Sequence, residues 1–157
     1  IGLKNQLLTA TAGEAILSHR FLDFRTIKGG IPERLNGSLV SMETGVAMAY
    51  SLDALESRGK LFIGAGEDVY EGQIVGENPR SDDLPVNPTK EKHLTNHRST
   101  GDGKGIQLSP PMKFSLERAI EYITTDELVE ATPKNVRLRK RVLSAVERKR
   151  EARKAIT

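Results

Sequence analysis

The sequence has no cysteine and no tryptophan, and its aromatic residues, four Phe and three Tyr, make up 4% of 157 positions. Without thiols there is no disulfide framework, no thiolate nucleophile and no Cys-ligated zinc or iron–sulfur centre, a composition suited to a reducing cytoplasm. With so few rings, base stacking of the RRM or OB kind has little to work with. No apolar run approaches the roughly 18 residues that a membrane span needs. No basic segment followed by an apolar one opens the chain, which begins Ile1-Gly2-Leu3 without Met and reads as a piece of a longer protein. Phosphate-loop spacing is missing as well. Gly64-Ala65-Gly66 and Gly101-Asp102-Gly103-Lys104-Gly105 match neither G-x-x-x-x-G-K-[ST] nor G-x-G-x-x-G, and there is no G-x-S-x-G elbow.

What the chain does have is segregated charge. The net value is +3, yet between Lys134 and Lys154 ten Lys/Arg stand against two Glu, a net of +8. The first 133 residues carry 14 basic and 19 acidic side chains, a net of −5. A terminal basic block of this kind is an electrostatic footprint for a polyanion or the solvated face of a last helix.

Periodicity predicts α+β structure. Leu3, Leu7 and Leu8 share a helical face from about Gly2 to Ala12, with Gly13 as a left-handed C-cap, and a strand over Glu14 to Phe24 follows. Leu39 to Met42 and Val46 to Tyr50 read as a hairpin around Glu43-Thr44-Gly45, and Ser51 as the N-cap of a brief helix that Gly59 stops. Short strands are expected at Leu61 to Ile63 and Gln73 to Val75, pointing to a small sheet or barrel. From Asn78 to Pro111 periodicity dissolves, with part of it able to pair around Ile106 to Leu108; so long a connection is usually functional or disordered, and the stretch from Lys90 to Gly105 is expected to be mobile. Leu116, Ala119, Ile120 and Ile123 behind Ser115 predict a helix. A strand over Glu127 to Ala131 turns at Thr132-Pro133-Lys134-Asn135 into a second strand, with Val136, Leu138 and Val142 toward the core and Arg137, Arg139 and Arg141 together on the other face. Ser144 and Glu147 have capping-box spacing and open a basic helix to about Lys154.

Few residues suit catalysis. His93 and His97 have helical i,i+4 spacing, but they lie in a Gly/Ser/Thr-rich segment without a third ligand, so no metal site is expected. His19 is expected to be a packed structural histidine, and Asp82-Asp83 an exposed turn rather than a general acid and base. Polyanion binding remains. Lys90, Lys92, His93, Arg98 and Lys104 supply charge in the loop, and Lys113, Arg137, Arg139 and Arg141 supply it outside. Thr95 and Asn96 can hydrogen-bond phosphate or 2′-hydroxyl oxygens. From these features alone, backbone-led RNA binding stands level with a protein–protein interaction module bearing a solvated basic terminus.

Seven ordered blocks carry a family resemblance. They are Asn36-Gly37-Ser38-Leu39-Val40-Ser41-Met42-Glu43-Thr44-Gly45, Arg58-Gly59-Lys60-Leu61-Phe62-Ile63-Gly64, Val69-Tyr70-Glu71-Gly72-Gln73-Ile74-Val75-Gly76, Val86-Asn87-Pro88, Leu94-Thr95-Asn96, Asp126-Glu127-Leu128-Val129-Glu130-Ala131-Thr132-Pro133 and Val136-Arg137-Leu138-Arg139-Lys140-Arg141. Together they resemble the C-terminal part of the BipA/TypA translational GTPases. The resemblance implies that residues 1–28 end a ferredoxin-like unit corresponding to domain V of elongation factor G. It implies that residues 29–157 form the family's C-terminal domain, a small mixed β-barrel with flanking helices and a mobile loop at about 90–110. GTP and Mg would belong to a domain upstream, so this region would be non-catalytic and hold no cofactor or metal. The parent protein would act in the cytoplasm, as a monomer away from membranes, at the ribosomal A site, in stress adaptation and large-subunit assembly. The loop would contact 23S rRNA and the tRNA acceptor end through Lys90, Lys92, Leu94, Thr95, Asn96 and Arg98, joined by Lys113. Ala12 departs from a Lys common in the family, and His93 and His97 from residues that are often uncharged; the two histidines would make loop binding pH-sensitive below about pH 6.5.

Overall fold

Five consecutive buried residues, Gly-Ser-Leu-Val-Ser at 37–41, can satisfy their backbone only by pairing on both edges, and this run is the strand around which the fold is organised. The computed structural model describes residues 7, 8, 10–26, 34–91 and 106–154. In chain order the elements are β1 (Gly37–Ser41), β2 (Gly45–Val46), α1 (Ala49–Glu56), β3 (Lys60–Leu61), β4 (Asp68–Val69), β5 (Gln73–Asn78), β6 (Leu84–Val86), α2 (Leu116–Tyr122), β7 (Glu127–Ala131), β8 (Val136–Lys140) and α3 (Ala145–Lys154). β1 pairs antiparallel with β5 and parallel with β6. Along its other edge β5 pairs with β3 at Gly76 and Glu77 and with β8 at Gln73 and Ile74, and β8 pairs with β7. The six-stranded sheet therefore runs β6-β1-β5-β8-β7, with β3 as the sixth strand beside β5 off this path, and β2 with β4 forms a separate ribbon.

Alternation along the strands divides the apolar side chains between two faces. On one, Leu39, Leu61, Ile63 and Val75 pack with Leu52 and Leu55 of α1 and with Ala47, Val69 and Val86. On the other, Phe62, Ile74 and Leu138 pack around Ala119 of α2. Three rings finish this second core, with Phe62 edge-on to Phe114 at 4.8 Å and to Tyr122 at 5.6 Å. Few as they are, the aromatics are concentrated where edge-to-face packing adds to burial.

Several expectations hold. Gly13 has φ +92° and its N–H bonds the Leu8 carbonyl, ending the first helical turn as a left-handed cap. The Ser115 hydroxyl accepts from the Arg118 N–H at 3.3 Å, and Val136 and Leu138 face the second core.

Others are corrected. The sheet is open, with β6 and β7 as its edges, where a small barrel was expected. β1 and β2 are not a hairpin, because a strand buried on both faces finds its partners in distant β5 and β6. Ser51 is inside α1, not at its start: Met48 occupies the cap position, and the buried Ser51 hydroxyl donates to the Pro88 carbonyl. Residues 106–108 form no strand; Leu108 packs on the first core. Glu14 to Phe24 pairs with no strand among the described residues, leaving Ile16 and Phe24 99% and 94% exposed, and His19 is exposed as well.

Candidate nucleic-acid interface

Of the eleven polar or charged residues expected to contact RNA, the structure describes five: Lys90, Lys113, Arg137, Arg139 and Arg141. Lys92, His93, Thr95, Asn96, Arg98 and Lys104 lie outside the described residues, as do the metal pair His93/His97 and most of the expected mobile loop. Among the described residues no cluster of His, Cys, Asp and Glu is suited to a metal ion.

The segment 92–105 is bracketed by anchored chain. On its N-terminal side Pro88 is fully buried under the Ser51 hydroxyl, and the Met48 N–H bonds the Pro88 carbonyl at 2.9 Å. On its C-terminal side the Ser109 N–H donates to Glu56 Oε1 at 2.6 Å, and the Met112 N–H bonds the Leu61 carbonyl. Both ends are thus tied to α1 and the β-strand that follows it, and the exposed Lys90 shares a shallow recess with Arg58 on the α1 side.

Lys113 and Arg137 come together. With Lys134 they border a cleft of about 460 Å³ between the strand end at Phe62–Ile63, the Met112–Phe114 segment and the β7–β8 turn. The turn is built by Thr132, whose N–H and hydroxyl both donate to the Asn135 carbonyl, and this holds Lys134 outward at the tip. Lys113 Nζ pairs with Glu67 Oε1 at 2.6 Å, but both side chains are largely exposed, so the pair is worth little and a phosphate can compete for the lysine. Lys134 was not among the expected contacts; the basic block was its only signal in the sequence.

The expected row of three arginines does not form. Arg137 lies directly across β7 from Glu130, and Arg139 across from Leu128. Glu130 Oε2 also accepts from the Tyr70 hydroxyl, at 2.5 Å. Burial first, then that hydrogen bond and the Glu130 charge, raise the Tyr70 phenol far above its ordinary value against the opposing pull of Arg139 and Arg137. Arg141 falls beyond the end of β8. Its guanidinium donates to the Thr125 carbonyl at 2.7 Å, and it borders a different cleft with Val142, so neither residue continues the alternation. The physical reason is Lys140: its side chain is 3% exposed and anchors the strand end to Asp83, Asp126 and Glu127, after which the chain turns away.

That anchor belongs to a buried ion network. Glu127, with no side-chain exposure, accepts from Arg34 Nη2 at 2.8 Å, from the Ser38 hydroxyl at 2.7 Å and, through Oε2, from the Thr124 N–H at 3.1 Å. Arg34 also lies 4.2 Å from the Tyr122 ring centre. Burial by itself would raise the Glu127 carboxyl, but the Arg34 hydrogen bond and charge and the Lys140 charge outweigh it and hold the group below its ordinary value. Asp83, expected to be a plain exposed turn, is drawn into this network. No polar side-chain atom is buried without a partner among the described residues.

Residues 36–145 match the model of the TypA/BipA C-terminal domain. The chain is 49% identical over 154 residues to a large ribosomal subunit assembly factor BipA of Haemophilus influenzae, and 46% identical over 154 residues to the protein of that name in Salmonella typhimurium. Each alignment covers 98% of this chain and 25% of the relative. A Synechocystis protein of the same name is 45% identical over 140 residues, 89% of this chain and 24% of its own length. The chain thus spans about a quarter of the curated relatives it matches.

Proposed function

Because this chain belongs to the TypA/BipA family, as its C-terminal region, we propose that it is the non-catalytic, RNA-contacting part of a ribosome-associated GTPase. The observation that carries this reading is the placement of Lys113, Lys134 and Arg137 around one open cleft. Backbone phosphates are the natural ligands of such a surface, since the charged contacts it offers are cationic.

In this reading the segment 92–105, held at both ends beside α1, carries Lys92, His93, Thr95, Asn96, Arg98 and Lys104 to 23S rRNA and the tRNA acceptor end near the A site. Residues 1–28 close a unit like domain V of elongation factor G, whose other elements would cover Ile16, Phe21, Leu22 and Phe24. GTP and Mg are bound upstream. The parent protein works as a cytoplasmic monomer in large-subunit assembly and stress adaptation.

Co-sedimentation with ribosomes over a salt series tests the proposal. Changing Lys90, Lys92, Arg98 and Lys104 together to Gln is expected to weaken pelleting and to flatten its salt dependence, by about 0.7 to 0.9 in log–log slope for each phosphate that is no longer neutralised. Pelleting that ignores salt, or that the four changes leave untouched, overturns the RNA reading in favour of a protein partner.

A further inference from the structure

We infer that the cleft between α3 and the β1–β6 edge is a second site for single-stranded RNA, taking one base against its apolar floor and the adjoining phosphates on Arg141, Arg148 and Lys149. This rests on the proposed function and adds a site to it, on a different part of the surface from the cleft at Lys113 and Arg137.

The cleft holds about 700 Å³ and its floor is Val40, Pro85, Val142 and Ala145. That volume lies within the range of small-ligand sites, roughly 300 to 1,000 Å³. Two of its carboxylates, Asp83 and Asp126, share one cation, Lys140 Nζ, at 2.5 and 2.8 Å. With Lys140 counted beside Arg141, Arg148 and Lys149, four cations face Asp83, Asp126 and Glu151, a net of one positive charge that suits an anion.

The two arginines are held in place. Arg141 Nη2 donates to the Thr125 carbonyl, and Arg148 Nη1 donates to the carbonyls of Val142 and Leu143, at 2.9 and 2.5 Å. Each bond engages one terminal nitrogen and leaves further donors on the same rigid fork, which matches phosphate geometry at little cost in ordering. A guanidinium plane also offers a base a stacking surface. Beyond the cleft, α3 continues with Arg150 and Lys154, so a strand leaving the cleft meets more positive charge along the helix. A recessed floor admits a base only when it is splayed from its neighbours, which selects single-stranded RNA over a duplex.

Fluorescence anisotropy of the 157-residue chain with a labelled oligouridine, over a salt series, tests the assignment. Arg148→Gln with Lys149→Gln is expected to lower the slope of log affinity against log salt by about 1.4, the equivalent of two single-strand phosphates. Lys149→Gln alone, at an exposed position, is expected to lower it by about 0.7, which guards against the double variant misfolding. Ala145→Met fills the floor without altering charge; it is expected to weaken oligouridine binding about tenfold, the worth of one stacked base, and to leave an abasic oligomer of equal length unaffected. The assignment is overturned by unchanged slopes in well-folded variants, by equal loss of the abasic oligomer in Ala145→Met, or by polyglutamate displacing the RNA as readily as RNA itself. Ribosome pelleting of the loop variant, run in parallel, separates the outcomes: loss there with unchanged cleft variants removes only this second site, and no loss there removes the parent reading.

Discussion

Replacing Glu127 by alanine takes the shared acceptor out of the buried ion network, and the geometry sets the cost. The carboxylate is fully buried and meets Arg34 at 2.8 Å, Lys140 at 3.1 Å and the Ser38 hydroxyl at 2.7 Å. Breaking a buried pair by deleting one partner costs about 3–5 kcal/mol, since the other charge is left uncompensated. Here the survivors are not stranded. Lys140 keeps Asp83 and Asp126, and Arg34 keeps the carbonyls of Asn36 and Tyr122 and its place on the Tyr122 ring. The expected loss for Glu127→Ala is therefore about 3 kcal/mol, at the lower end of that range. Glu127→Gln keeps the shape and one acceptor oxygen while losing the charge, and should cost about 1–2 kcal/mol. In a urea titration followed by circular dichroism, a slope near 2 kcal/mol per molar turns these into midpoint shifts of about 1.5 M and 0.5–1 M. Loss of less than about 1 kcal/mol in the alanine variant would refute the reasoning, because then charge neutralisation is not what ties β7 to β1, whereas a glutamine variant no better than alanine would show that the retained shape and oxygen contribute nothing without the charge.

The same network predicts how stability depends on pH. Burial pushes the carboxyls of Glu127 and Asp126 up, but hydrogen bonds from Arg34 to Glu127 and from Lys140 to Asp126 win and hold both below their ordinary values of 4.5 and 3.8. Their contribution is complete above those values and is lost as pH falls through the lower folded ones. Lys140 is raised above 10.5 because its carboxylate partners outweigh burial, so its contribution is present below that value and is lost as pH rises through the folded one. Urea midpoints measured against pH should be flat between these limits and fall below about pH 4, and Glu127→Gln should soften the acid fall; an equally steep fall in that variant would place its origin elsewhere. Gly72→Ala probes the backbone: φ there is +84°, and a Cβ would come within 2.6 Å of the Leu143 Cα. The left-handed penalty of about 1–2 kcal/mol plus the forced shift should cost more than about 2 kcal/mol in total and speed hydrogen exchange in α3, since the Ala145 N–H at its start bonds Oε1 of the adjacent Glu71. Unchanged exchange in a folded variant would show that the close approach does not hold α3.

Local signals were readable wherever local forces decide. The cap at Ser115, the left-handed Gly13 and the apolar alternation at Val136 and Leu138 depend on neighbours a few residues away. β6 was missed because three residues that include Pro85 have no period to detect; they become a strand only by pairing with β1, whose own neighbour in sequence, β2, pairs elsewhere. For the candidate site, Lys113 and Arg137 could be named from the sequence, but their meeting with Lys134 could not, because 24 residues and two elements separate Lys113 from Arg137.

From the sequence alone came the absence of thiol and phosphate-loop chemistry, the charge split between a −5 body and a +8 end, the α+β class and the family. Those follow from which side chains are present and in what order. Which positive charges remain available for a partner was decided only by the tertiary structure. Lys140 and Arg141 are neighbours in the same basic block, yet one is neutralised in the interior by Asp83, Asp126 and Glu127 while the other lies at the rim of a cleft. Charge composition adds along a chain, whereas burial and pairing depend on what folding brings from far away, and that decides which cation can reach a phosphate.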